Sequence, residues 1–111
     1  MHPGSVEARA DLARVAWVLA TSPDRSIRDG TKAVELALEM GRLTDGKNSS
    51  MTAILAAAYA EAGRFPEAIT TAQQALQLAT GQNDQAMVAA LEAQLKLYQA
   101  GSSFRDQGTM P

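Results

Sequence analysis

Wherever an apolar run in this chain is long enough to show a period, the period is helical, and no run alternates as a half-buried strand does. That one feature narrows the fold more than any other. Leu12, Val15, Ala16 and Leu19 recur at i, i+3, i+4 and i+7, and they predict a first helix from about Ser5 to Ala20 with this stripe turned inward. "TSPDRSIRDG" breaks it with Pro23 and a cluster of turn formers. A second helix opens near Asp29 or Thr31, both N-cap types, and stops at about Gly41. After the polar "TDGKNSS", Asn48, Ser49 or Ser50 can cap a third helix, which Gly63 ends. Pro66 suits the first turn of a fourth, where the N–H it lacks has no helical partner anyway. That helix reaches about Thr80, and Asn83 or Asp84 opens a fifth that lasts to about Ala100. Short links between the five predict antiparallel neighbours in one all-α domain, residues 1–100, with 101–111 a flexible tail.

Composition removes several classes of function. The 111 residues carry a formal net charge of −2, so the clustered basic surface that nucleic-acid binding needs is not expected. There is no cysteine, hence no disulfide framework, thiolate nucleophile or Cys-ligated metal. "LARVAWVLA" is short, the approach to it is punctuated by Glu7, Arg9, Asp11 and Arg14, and no clean cleavage site follows it. A spanning helix needs about 20 apolar residues, which no segment supplies. The expectation is a soluble domain without membrane insertion, cytoplasmic by default.

The stretch "LAAAYAEAGRFPEAITTAQQAL" carries a stronger signal. Thr52, Leu55, Ala56, Tyr59, Ala68, Ala72, Ala75 and Thr80 fall at the spacing of the tetratricopeptide repeat of about 34 residues, with Gly63 and Phe65 in its turn. The segment resembles that family, with Thr52 in place of its Trp, Ala72 in place of its aromatic and Thr80 in place of its Pro. An upstream copy places Leu12, Val15, Ala16 and Leu19 forty residues before Thr52, Leu55, Ala56 and Tyr59, while Ala33 precedes Ala68 by thirty-five. The extra residues fall in "TSPDRSIRDG". The phrasing there and in "LKLYQAGSSFRD" resembles the C-terminal repeats of bacterial tetratricopeptide proteins. The resemblance implies a helical solenoid: repeat 1 over about 9–47 with an inserted turn at 21–30, repeat 2 over about 49–82, and a capping helix over about 83–100.

Few residues here can do chemistry. "GRLTDGKN" nearly spells a phosphate loop, but a helix precedes it where a strand is needed, and Asn48 stands where a hydroxyl would hold the metal. "NSS" fits a glycosylation acceptor and is better explained as a helix cap. His2 is the only histidine, so neither a catalytic triad nor a zinc site can be assembled around it. Glu35 and Glu39 are read as a solvated helix face, and Met40 and Tyr59 as core. No catalytic, cofactor or metal residue is expected.

The resemblance points instead to a concave groove lined by Ala13, Trp17, Ala20, Ala53, Ala57, Ala60 and Glu61. Trp17 would anchor an apolar partner there, or else pack on the chain's own terminus or another subunit. The Lys and Asn that grip acidic peptide termini in some family members are replaced by Ala13, Trp17, Ala53 and Ala57. The expected function is a non-catalytic scaffold that binds a protein or peptide segment or forms a homodimer. The alternative is an auxiliary C-terminal domain of a larger enzyme, such as a membrane transferase.

Overall fold

A computed structural model describes residues 6–44 and 48–103, with side chains from 13–41 and 48–103. His2, Leu12, the middle of "GRLTDGKN" and Phe104 lie outside them. The described chain holds five helices and no strand: α1 (Val6–Thr21), α2 (Gly30–Thr44), α3 (Ser49–Glu61), α4 (Phe65–Gly81) and α5 (Gln85–Gln99). The all-α class is therefore as expected, and helix ends differ from the sequence reading by a few residues at most.

Local chemistry explains where each helix starts. Orphan amides of the first turn need acceptors, and short polar side chains supply them. The Asp29 carboxylate accepts the Lys32 N–H at 3.1 Å, so Asp29 rather than Thr31 caps α2. Asn48 accepts from Met51 N–H at 3.1 Å, and Asp84 from Met87 N–H at the same distance. α4 has no side-chain cap and places Pro66 in its first turn.

The C-terminal ends of α3, α4 and α5 share one device. Gly63 (φ 81°), Asn83 (φ 57°) and Gly101 (φ 74°) adopt the left-handed conformation. The amides of the following residues, Arg64, Asp84 and Ser102, then donate back to Tyr59, Ala79 and Leu97 at 2.8, 2.9 and 2.9 Å. This closure satisfies carbonyls the helix leaves open and reverses the chain within three residues.

α3 is the centre of the molecule. It packs on α1 and α2 on one side and on α4 and α5 on the other, while α2 and α4 flank it without approaching each other. A helix so surrounded must be apolar all round. Ala53, Ile54, Ala56, Ala57, Ala58 and Ala60 are accordingly all buried.

α1 corrects the expected inward stripe in part: Ala16 is buried and Leu19 packs against the core, but Val15 is turned out. Its buried side chains are Ala13, Ala16, Trp17, Ala20 and Thr21, while Val15 is 48% and Val18 41% exposed. The period is as read; the phase is off by one residue, about 100° of rotation. The indole decides it, because turning Trp17 inward removes far more apolar area from water than turning Val15 inward would. With the phase corrected, Ala13, Ala16, Trp17 and Ala20 stand forty residues before Ala53, Ala56, Ala57 and Ala60, and all eight are buried. Likewise Ala33, Ala37 and Met40 stand thirty-five before Ala68, Ala72 and Ala75, all buried. The two helix pairs thus bury equivalent positions.

Candidate interaction groove

The residues expected to line a concave groove do not form an open surface. Ala13, Trp17, Ala20, Ala53, Ala57 and Ala60 are each at most 5% exposed. Trp17 belongs to one core cluster with Ala33, Met40, Ile54 and Ala57, so its own chain covers it. Ala56 and Ala60 share another with Tyr98 of α5. The alanine floor of α3 is real, but large side chains of the same molecule occupy it. Alanine lets a bulky neighbour approach. Met40 is core as expected, and Tyr59 is partly buried beside it.

Glu61, the seventh expected groove residue, sits at a junction. Its Oε2 lies 3.5 Å from Arg28 Nε, and both side chains are largely buried. Arg28 Nη1 also donates to the Ser22 and Pro23 carbonyls at 2.8 and 3.2 Å. One guanidinium therefore serves the end of α1, the inserted loop and the end of α3. The Asp29 amide donates to Leu19 O at 2.8 Å, and Ser103 Oγ donates to Ala60 O at 3.1 Å. Gly30 completes the junction. A Cβ there would lie 2.6 Å from Ala62 N and 2.7 Å from the Glu61 carbonyl carbon. Only glycine lets α2 begin so close to the backbone of α3.

An open concavity lies elsewhere, where α2 and α4 stand apart over α3. Its volume is about 440 Å³. Ala37 and Gly41 form the α2 wall, Met51, Thr52 and Leu55 the floor, and Gln74, Gln77 and Leu78 the α4 wall. Among the described residues that line it, none bears a charge. A side chain at Gly41 would meet nothing within 4 Å of its Cβ, so that wall is low. The Thr52 hydroxyl donates to Asn48 O at 2.9 Å, and Ser49 Oγ donates to Gln82 Oε1 at 3.3 Å, tying the start of α3 to the end of α4. The second bond fixes the α4 side of the groove to its floor.

Sequence reasoning placed Thr52 and Leu55 in the repeat interior and read Gly41 as a helix stop. The available signal was α4 itself, where Thr70, Gln73, Gln74 and Gln77 follow one another without a charge.

Arg64 pairs with Glu67 and lies 4.6 Å from the centroid of the Tyr59 ring. Burial pushes the Tyr98 phenol far above its ordinary range. Tyr98 Oη and Gln94 Oε1 are buried on α5 without a hydrogen-bond partner, and neither lines the groove. Among the described residues no three acidic or histidine side chains cluster as metal ligands, and no helix is long and apolar enough to cross a membrane. Comparison with family models, with curated proteins and with solved structures finds no match for this chain.

Proposed function

We propose that this chain is a non-catalytic protein-interaction module of the tetratricopeptide kind, and that its recognition site is the groove between α2 and α4. The observation that carries the reading is that groove: open, floored largely by apolar side chains and bordered along α4 by the Gln74 and Gln77 carboxamides. Its volume lies within the roughly 300–1,000 Å³ of small binding sites, and such concavities with a few polar groups are the usual places of recognition. The forty- and thirty-five-residue equivalences in burial support the repeat reading, since stacked helix pairs turn equivalent positions inward.

Gly41→Phe tests the site, because the new ring projects into open space and plugs the groove without touching the packed core. A photoreactive side chain placed at Gln77 should capture a partner in the native host. One at Glu92, which is exposed on α5, should not. Capture that survives Gly41→Phe, or that occurs only from position 92, defeats the proposal.

A second reading is self-association through the exposed face of α1. Trp17 is covered within a single chain, so it cannot be the dimer contact; Val15 and Val18 are the apolar pair that α1 leaves exposed. Light scattering coupled to gel filtration at micromolar concentration should then show a dimer that Val15→Lys with Val18→Lys dissolves. A monomer throughout would end that reading.

A further inference from the structure

We infer that α5 is a hinged cover: it opens as a unit about residues 82–84 while α1 to α4 stay folded, and bares an alanine floor on α3 and α4. This holds whether or not the groove is the recognition site.

The contact under α5 is flawed where the equivalent contact of α3 is not. Each helix starts on a polar cap, Asn48 or Asp84, which accepts the amide of the third residue on at 3.1 Å. The caps are thirty-six residues apart, so Leu55, Ala58 and Ala62 of α3 correspond to Leu91, Gln94 and Tyr98 of α5. The three α3 residues all pack into the apolar cluster shared with α1 and α2. On α5 the same face buries Gln94 and Tyr98, 3% and 1% exposed. Gln94 Oε1 and Tyr98 Oη go under with them and have no hydrogen-bond partner among the described residues. A polar atom that has lost water and gained no partner favours any state in which water returns to it. For α5 that is the open state.

A hinge stands beside the flaw. The turns after α3 and α5 put Gly63 and Gly101 in the left-handed conformation, but the turn between α4 and α5 puts Asn83 there, at φ 57°. Its Cβ makes that conformation costlier than it is for glycine. Only Gln82, Asn83 and Asp84 separate the two helices, so opening turns on a few dihedrals. α5 leans chiefly on α4 and touches α3 at few places, whereas α3 is held from both sides. One latch crosses beyond it, the 3.1 Å bond from Ser103 Oγ to Ala60 O. Beneath lie Ala56, Ala60, Ala68 and Ala72, each at most 1% exposed and clustered with Tyr98. Opening uncovers all four together.

The chain has no cysteine, so one introduced thiol reports opening without background. Ala72→Cys places it in the floor under α5, and Ala16→Cys places it in the core of the first helix pair. With a water-soluble disulfide reagent in native buffer, the thiol at position 72 should react at least tenfold faster than the one at 16. Its rate should also depend less on urea, because a local opening exposes less surface than global unfolding. Gln94→Met with Tyr98→Phe removes both orphaned atoms at nearly constant volume, and should slow the reaction at position 72 at least tenfold. In the unsubstituted chain, hydrogen exchange should find the amides of 91–98 at least tenfold less protected than those of 54–60. Equal rates at positions 72 and 16 would overturn the cover, as would equal protection of α3 and α5. So would a reaction at position 72 that ignores the double substitution.

Discussion

The two helix pairs bury equivalent positions and fill them differently. In the first, α1 and α2 contribute Trp17 and Met40; in the second, the same places are held by Ala57 and Ala75. Their links differ in step. Residues 22–29 join α1 to α2 through a loop with its own hydrogen bonds, whereas Ala62, Gly63 and Arg64 suffice between α3 and α4. Helix separation follows the size of the side chains at the contact. A tight left-handed turn holds two helices close and suits alanine, and a longer link leaves room for an indole and a thioether. The comparison teaches that the inserted residues are part of the packing. Arg28, Asp29 and Gly30 then fasten that longer link to α3.

The comparison is broken most severely at Trp17. Trp17→Ala makes the first pair resemble the second in size while keeping its long loop, and the cavity left should cost about 3–5 kcal/mol in a denaturant melt. A loss below about 1 kcal/mol would mean that the indole is not core. Gly30→Val comes next. Its Cβ would collide with the Ala62 and Glu61 backbone, which cannot rotate away as a side chain can, so a loss near 3 kcal/mol is expected. Gly41→Ala is its control, and should gain about 0.5–1 kcal/mol from helix propensity. Equal behaviour of the two glycines would show that α2 does not start against α3.

Arg28→Ala removes a charged donor from the Ser22 and Pro23 carbonyls and the opposite charge beside Glu61, and should cost about 2 kcal/mol. Arg25 is exposed, and its replacement by Ala should stay within about 0.5 kcal/mol. In the second pair, Gly63→Ala forces a Cβ into the left-handed region and should cost about 1 kcal/mol. No loss there would mean that the turn rearranges freely, and the contrast between the links would weaken.

The smallest effect is the loop's response to acid. The hydroxyl of Ser26 at 2.7 Å and its amide at 2.9 Å donate to the Asp24 carboxylate and hold its pKa below the ordinary 3.8. Because the folded value is the lower one, the contribution is present above 3.8 and is lost as pH falls through the folded value. A carboxyl-carbon NMR titration of Asp24 should have its midpoint below 3.8, and Ser26→Ala should move it up. A midpoint at or above 3.8 in the wild type would remove the hydrogen-bonded loop from the account.

The chain's local chemistry was sufficient to determine its class and punctuation. Asn48, Asp84, Pro66 and Gly63 stand where caps and stops need them, and helical periods fill the spaces between. Each of these is settled within a few residues, by hydrogen bonds a segment makes with itself. Two things were not settled that way. In α1, Leu12–Val15–Ala16–Leu19 and Ala13–Ala16–Trp17–Ala20 both satisfy the same helical spacing, one residue apart, so the period permits either face. The second is selected when the large indole finds a space against α2 and α3 that takes it out of water. The groove was invisible for a related reason. Leu55 is an apolar residue on an apolar helix, and whether it meets a neighbour or a gap depends on how far apart α2 and α4 are held. That distance belongs to the assembly of five helices and to no one of them.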